Sequence, residues 1–543
     1  FDSTFNVQVD GFRIANSRDE QDVGGGLFIS QNGEYVEISN NVIQSNGGNL
    51  GGGIVVGEPY EGDMNNDNVR IHHNRVLNNG GISRAGGIGI YNGAENYEVD
   101  HNDICGNYSA EYGGGLSHFG LSNGGSIHHN NITRNNAFDE GGGIMIAGEQ
   151  FCLPQPEEGG VTFEFENACT ENPADIVMTV GSGDVDVYNN LIQENLSNDD
   201  GGGLRLLQPW DYTINVANNM IVDNVSTDFG GGFALDDASD VNVVNNTFAN
   251  NANTSTAEDS DGFSHAAGMV AEYYSTDFST YLIGTYGSDG TGHPDPFMRN
   301  NIFWNNVAYT FVLGTGLTPA GGSVFDLEVV GGGSFSDAGH ASNLVGTDPL
   351  FVDEYGLTLD AVAFNQEPNF VSVVIVTVNV DGELQGDYHL LSGSSAIDTG
   401  VTITAVPFDF DDEARPMGAA YDIGADESTG SPPPPPPPAG PTITVVDPVS
   451  GDTLTGSFLL QFLASDDIDA ASSLVVEWNI DGGPWQNTTF NGGNCFPETT
   501  WDHTTPNTAR HALNARVTNN RPQPTHSSGV CQLGTPAHTR LHP

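Results

Sequence analysis

Short apolar strands recur along the chain, each introduced by glycines. Runs at Gly24 to Gly26, Gly51 to Gly53, Gly86 and Gly87, Gly113 to Gly115, Gly141 to Gly143, Gly201 to Gly203 and Gly230 to Gly232 precede LFI, IVV, IGI, LSH, IMI, LRL and FAL. The first and third residues of these segments are mostly apolar, and a period of two predicts a strand with one side on a core. A nine-residue unit keeps step with the glycines: Ile38 to Asn46, Ile71 to Asn79, Val99 to Asn107, Ile127 to Asn135, Val187 to Asn195, Val216 to Asn224, Val243 to Asn251 and Met298 to Asn306. In all eight units the fourth residue is Asn (Asn41, Asn74, Asn102, Asn130, Asn190, Asn219, Asn246, Asn301), and so is the ninth.

Successive fourth-position Asn residues lie mostly 27 to 29 apart, with 33 once, and 60 and 55 where insertions near 150–183 and 252–297 intervene. A repeat of that length holds about three short strands and three turns, so the pattern predicts a solenoid whose coils pair at roughly 4.8 Å. The handedness of parallel crossovers makes it right-handed. Stacking sets like residues above one another, so the Asn side chains are expected to bond in ladders. The fold class expected is all-β: a right-handed parallel β-helix solenoid over 1–427 with a small C-terminal β-sandwich.

These repeats resemble those of the pectate-lyase-like superfamily of right-handed β-helices and of bacterial surface proteins that share it. NLVGTDPLFVD (343–353), GDYHLLSGSSAIDTG (386–400) and DDEARPMGAAYDIGADE (411–427) look like the end of the helix in surface proteins with a variable anchor, the group called choice-of-anchor Q. That similarity implies export and attachment to a cell surface. Pro432 to Pro438 form a polyproline spacer of about 20 Å within a linker at 428–440. Beyond it, PTITVVDPVSGDTLTGSFLLQFLASDD and SSLVVEWNIDGGPW alternate as sandwich strands and resemble bacterial Ig-like modules, which sets a domain at 441–520. After Asp502 no acidic residue occurs while four Arg appear, so 521–543 reads as an irregular tail from a truncated or shifted frame.

Composition adds charge to this picture. The 543 residues carry 71 acidic against 13 basic groups, a net charge of −58, and every basic residue is Arg. Such a surface repels nucleic acid and anionic membranes; it either gathers divalent cations or keeps the chain soluble at high salt. No apolar run is long enough to span a membrane, and no signal peptide precedes Phe1, which reads as the start of a mature chain or of a fragment. Five cysteines are an odd number: Cys152 and Cys169 flank one insertion, Cys495 and Cys531 fall late, and Cys105 is left over.

Three groups of residues carry candidate chemistry. Outward positions on three successive coils, Arg70 and His72, Glu98 and Asp100, Ser126 and His128, form a candidate binding surface, in which His72, Asp100 and His128 stack and offer either transition-metal ligands or a His beside a carboxylate. The neighbouring His73, His101 and His129 make a second column with a hydrogen-bonding role in the Asn-rich turn. Acidic residues ahead of the glycines, Asp22, Glu111, Asp139, Asp199 and Asp228, form a column suited to calcium, as does, more loosely, Asp63-x-Asn65-x-Asp67. Arg205, on the exposed side of its strand after Asp199 and Asp200, is the candidate base of a polysaccharide lyase. His118 alternates inward and is expected to be a buried, hydrogen-bonded histidine.

β-Elimination in this superfamily uses Lys or Arg with calcium, and Lys is absent here. The paired Asp and Gly-His-Gly motifs of polygalacturonases are absent too. The expectation is therefore a secreted or surface-displayed structural or adhesive β-helix that engages polysaccharide or other cell-surface material, with calcium as the candidate ion and no nucleic-acid partner. The competing expectation is a polysaccharide lyase or glycoside hydrolase centred on Asp199, Asp200 and Arg205 or on the His72, Asp100, His128 column.

Overall fold

The computed structural model describes residues 7–19, 23–59, 62–148, 181–257, 260, 262–288, 290–364, 373–379, 386–429, 442–447, 456–465, 474–481, 483–491, 496–503, 511–518 and 526–533. The insertion near 150–183, Asp22, Cys152, Cys169, Cys495 and the polyproline segment fall wholly or almost wholly outside them. The chain divides into one unit of Phe1–Asn379 with Asp387–Pro432 and a second of Val380–Gly386 with Pro433–Pro543.

In the first unit each coil adds one short strand to each of four columns rather than three. The coil containing Asn41 supplies Val36–Ser39 to column one, Val42–Gln44 to column two, Gly47–Gly48 to column three and Ile54–Val56 to column four. The third-column strand is only two residues long, too short to register as a period in the sequence. Columns two and three hold ten strands each. Columns one and four form a single sixteen-stranded sheet, because Leu204–Ala217 and Phe233–Val244 run unbroken from column four into column one. Pairing between coils is parallel; among the described residues of this unit the antiparallel strand pairs are Val307–Val312 with Gly316–Val324 at the end of column three, Phe351–Asp353 with Asp387–Leu390, and Thr358–Phe364 with Val373–Asn379.

The inward residues of the coils, among them Ile38, Ile71, Val99, Ile127, Val187, Val216, Val243 and Met298, make one continuous apolar core. Two corners of every nine-residue unit repeat one device: a residue at positive φ, then a buried Asn. At the first corner His73, His101, His129, Asn189 and Asn218 all have φ between 52° and 55°. A non-glycine residue there costs about 1 kcal/mol. The following Asn offsets that cost, because its amide joins coils in a directional chain. Asn74 Nδ2 donates to Asn102 Oδ1 at 3.0 Å, Asn102 to Asn130 at 3.0 Å, Asn130 to Asn190 at 3.0 Å and Asn190 to Asn219 at 3.0 Å. The chain starts at Asn41 and continues through Asn246 and Asn301. A second ladder on the ninth-position Asn residues ends on a carboxylate, where Asn306 Nδ2 donates to Asp326 Oδ1 at 2.7 Å. The glycine runs have a different cause: a Cβ on Gly142 would lie 2.5 Å from the Leu196 carbonyl oxygen of the next coil.

The segment 252–297 is not a single insertion. Ala252–Asn253 and Met269–Ala271 stay in the stack, and the chain leaves it on either side of the latter strand. The second excursion carries helix α1 (Thr276–Tyr286), capped at its start by Ser275, whose hydroxyl accepts from Phe278 N, and ended by Gly287 at φ 80°. Phe278 and Leu282 of α1 pack on Trp210. Residues 387–425 fold back over column two, where Tyr388, Leu390, Ala396, Ile423 and Ala425 cover Met220, Val222, Ala249 and Ile302.

The second unit holds two antiparallel four-stranded sheets, Thr442–Asp447, Gly456–Ser465, Phe496–His503 and Thr489–Asn491 in one, Gln486–Asn487, Val475–Ile480, His511–Thr518 and His526–Leu533 in the other. Leu460 and Phe462 of the first meet Val476, Trp478, Leu513 and Val517 of the second in a shared core. His526–Leu533, within the segment expected as an irregular tail, pairs along the whole of His511–Thr518.

Candidate functional site

The outward face of column one is a continuous strip of polar and aromatic side chains. Register pairs Glu98 with Arg70 and Ser126, and Asp100 with His72 and His128. In later coils Ser126 is followed by Asp186, Asn215, Asn242 and Phe297, and His128 by Tyr188, Ala217 and Val244. All six residues of the candidate binding surface thus share one strip.

Asp100 is its hub. It is fully buried, takes Arg70 Nε and NH2 on its two oxygens at 2.9 Å each, and accepts from His101 Nδ1 at 2.8 Å. Burial raises its pKa, but the Arg70 and His101 hydrogen bonds prevail and hold it below the usual carboxylate range. Arg70 also reaches Glu98 at 3.1 Å. His72 Nε2 meets Glu37 Oε1 at 2.8 Å, and His128 Nε2 meets Glu98 Oε1 at 3.1 Å. Burial depresses the pKa of His128. Beside the strip, His73, His101 and His129 stack with ring centroids 5.0 and 4.9 Å apart. The sequence placed these rings in the turn; their parallel stacking follows from the repeated positive φ.

In the later coils that same corner holds Asn, and each Asn moors the folded-back C-terminal segment. Asn189 Nδ2 donates to Asp409 O at 2.7 Å, Asn218 Nδ2 to Phe408 O at 2.7 Å, and Asn300 Nδ2 to Val401 O at 2.7 Å. Arg415, buried, locks the segment through Glu427 Oε1 at 2.8 Å, Asn218 Oδ1 at 3.0 Å and the carbonyls of Gly424 and Ala425. The result is a groove of about 620 Å³ between the column-one strip and residues 403–412. Asp186, Tyr188, Asn215, Asn242 and Phe297 line one side, Pro407, Phe408 and Asp412 the other. Asn242 Nδ2 donates to Asn215 Oδ1 at 2.9 Å and Asn215 Nδ2 to Asp186 Oδ1 at 2.7 Å, so the floor is a row of aligned amides ending on a carboxylate. No motif in Asp186, Asn215 or Asn242 announces this row; its wall arrives from more than 160 residues away.

Arg205 does not lie on a groove face. Its side chain points out of its strand but is sealed, 2% exposed, by Glu140 at 3.0 Å, Asp200 at 3.1 Å and Glu272 at 2.9 Å. Glu272 comes from the excursion that carries α1. Burial works against the guanidinium's charge, but the surrounding carboxylates outweigh it and hold its pKa well above the normal value. So sealed and paired, Arg205 presents no free face to a bound polymer, and Asp200, Glu140 and Glu272 serve as its counter-charges. Burial also pushes Asp200 well up, and Asp236 to about 8.

The acidic column stacks as the repeat implies, with Asp139 N bonded to Glu111 O and Asp228 N to Asp199 O, each at 3.1 Å. Among the described residues the side chains of this column do not gather as one metal-capable group. Glu111 is engaged by Arg84 at 2.7 Å and by Ser83. Among the described residues the one metal-capable group touching this column is Glu140, Asp199 and Asp200, where Arg205 already supplies the positive charge. Asp63 Oδ1 accepts from Asn65 N at 2.8 Å, a local turn. His118 is fully buried between Tyr97 Oη and the carbonyls of Gly120 and Ser182, and burial lowers its pKa to about 4. Cys105, which the sequence left unpaired, is disulfide-bonded.

No helix among the described residues is long and apolar enough to cross a membrane. Comparison of the chain with family models, curated proteins and solved structures finds no match.

Proposed function

We propose that this is a secreted or cell-surface protein with a structural or adhesive role that binds polysaccharide along the column-one groove. One observation carries the reading: two exposed aromatic rings, Phe297 at the end of the row and Phe408 on the facing wall, flank a row of aligned planar groups, Asn242, Asn215 and Asp186, repeated at the strand spacing. Rings pack against the C–H faces of sugars while amides and carboxylates satisfy hydroxyl pairs, and a periodic row suits a periodic polymer. The net charge of −58 favours neutral glycans; acidic ones need calcium to bridge them to the exposed carboxylates. The disulfide at Cys105 supports an oxidising, extracellular setting.

The repeats resemble the right-handed helices of the pectate-lyase-like superfamily, the closing segment resembles choice-of-anchor Q surface proteins, and the second unit resembles Ig-like modules; the proposal takes surface display from these resemblances. The alternative, a glycoside hydrolase, is favoured by one feature, the presence of both Asp186 and Asp412 in the groove. Incubation with neutral and acidic polysaccharides, with and without calcium, tests both readings. Retention without new reducing or unsaturated ends supports the binder; cleavage abolished by Asp186→Asn or Asp412→Asn would replace it with the hydrolase.

A further inference from the structure

The histidine-rich end of the strip lies beside the groove just described, and the folded-back C-terminal segment reaches it at His129, through Asp412. Two His-His pairs occur there, His72 with His73 and His128 with His129. In each, a strand residue is followed by one at positive φ, which turns both rings to the same side. Their Nδ1 atoms meet at 2.8 Å in the first pair and 2.7 Å in the second.

Hydrogen bonds on the far nitrogens decide what these facing atoms are. His72 Nε2 lies 2.8 Å from Glu37 Oε1, so that nitrogen carries the proton and Nδ1 presents a lone pair. A carboxylate on the distal nitrogen is the arrangement that orients metal-binding imidazoles. His73 donates its Nδ1 proton to His72 at rest; moving that proton to its exposed Nε2 frees a second lone pair at the same point. Asp100, on the adjacent strand, supplies a third donor. Its Oδ1 accepts one hydrogen bond, from Arg70 Nε, and keeps a lone pair. One donor atom from each of His72, His73 and Asp100 can be chosen so that all lie within 4.8 Å of one another. Glu37, Glu98 and Asp100 against Arg70 leave the patch with an excess of two negative charges.

The second pair is closed. His129 Nε2 is held by Asp412 at 3.0 Å, and Tyr188 stacks on His128 at 4.5 Å. The first pair is open, with His73 exposed.

We propose that His72, His73 and Asp100 form a binding site for a divalent transition-metal ion of the zinc, nickel or copper class, with Glu37 orienting His72. Two imidazoles and one carboxylate select such borderline ions over calcium, which takes six or more oxygens. Water completes the coordination.

The test is titration of the whole chain, stripped with EDTA, with Zn2+ by calorimetry and with Co2+ by visible absorption. One equivalent is expected to bind at pH 7.5 with Co2+ bands of nitrogen and oxygen ligation. Millimolar calcium should not displace it, and lowering the pH to 5 should weaken binding at least tenfold, because protons and metal compete for the same lone pairs. His72→Gln and His73→Gln should each weaken it at least tenfold, while His340→Gln should not, with melting curves verifying that every variant is folded. Binding that survives the double substitution His72→Gln/His73→Gln, that follows His128 and His129 instead, or that calcium displaces would overturn the site, as would no binding below about 100 μM. Glycan binding in the groove is a separate measurement, so failure of one proposal leaves the other standing.

Discussion

The Asn ladders are directional, and that direction predicts unequal consequences for two isosteric substitutions. Asn251 accepts on Oδ1 from Asn224 Nδ2 at 3.1 Å and from Asn224 N at 2.9 Å, and donates from Nδ2 to Asn306 Oδ1 and Ile221 O, both at 2.9 Å. Asn251→Asp keeps the shape and both accepted bonds but sets an oxygen against two acceptors. Two donated bonds are lost at about 1 kcal/mol each and Ile221 O loses its side-chain donor at roughly 1–2 kcal/mol, while Asn306 Oδ1 keeps the bond from the backbone N of residue 251, for a total of about 3–4 kcal/mol. Asp326, at the end of the same ladder, only accepts, from Asn306. Asp326→Asn keeps an acceptor in place and should cost under about 1 kcal/mol. Urea unfolding followed by circular dichroism at pH 7 measures both. The Asn251→Asp penalty should also shrink in acid: burial raises the new carboxyl's folded pKa, so its neutral form, which regains one donor, is favoured at low pH and lost as pH rises. Equal costs for the two substitutions would refute the directional account.

Other consequences follow from the same geometry. Arg205→Met should destabilise by about 3–5 kcal/mol in urea, because Asp200, Glu140 and Glu272 lose their shared counter-charge; unchanged stability would contradict its structural role. Arg415→Ala should release the closing segment, seen as faster proteolysis within 387–427, and Arg415→Lys should not restore resistance because one ammonium cannot reach Glu427, Asn218 and two carbonyls together. His118, with a folded pKa near 4 against 6.5 unfolded, stabilises fully above pH 6.5 and loses that contribution as pH falls toward 4. The loss amounts to roughly 3 kcal/mol, and a His118→Gln variant should show a correspondingly flatter stability profile over that range. An imidazole resonance from His118 that titrates near 6.5 would contradict this.

What could be read from the sequence was whatever recurs at fixed phase. The Asn positions, the inward turn of His118 and the shared face of Arg70, His72, Glu98, Asp100 and His128 all follow from a strand period of two and a coil period near 28. Arg205 shows the limit. Alternation placed its side chain outward, as it is, but exposure depended on Glu272, which lies in an irregular excursion 67 residues later. The groove was hidden for the same reason. Asp186, Asn215 and Asn242 read as ordinary solvated positions until the chain returns at 403–412, and nothing periodic forecasts that return. The motif around Arg415 was visible as a resemblance, yet its task of holding the groove wall on Asn218 belongs to three dimensions.

The most direct test of the functional account is calcium-free affinity electrophoresis against neutral polysaccharides for the intact chain and for Phe297→Ala and Phe408→Ala. Both rings are exposed, so folding should be unaffected. The account predicts retardation of the intact chain by at least one neutral glycan and a loss of at least tenfold in affinity in each variant at unchanged melting temperature. Retardation that is identical in all three proteins would contradict it, as would none at all.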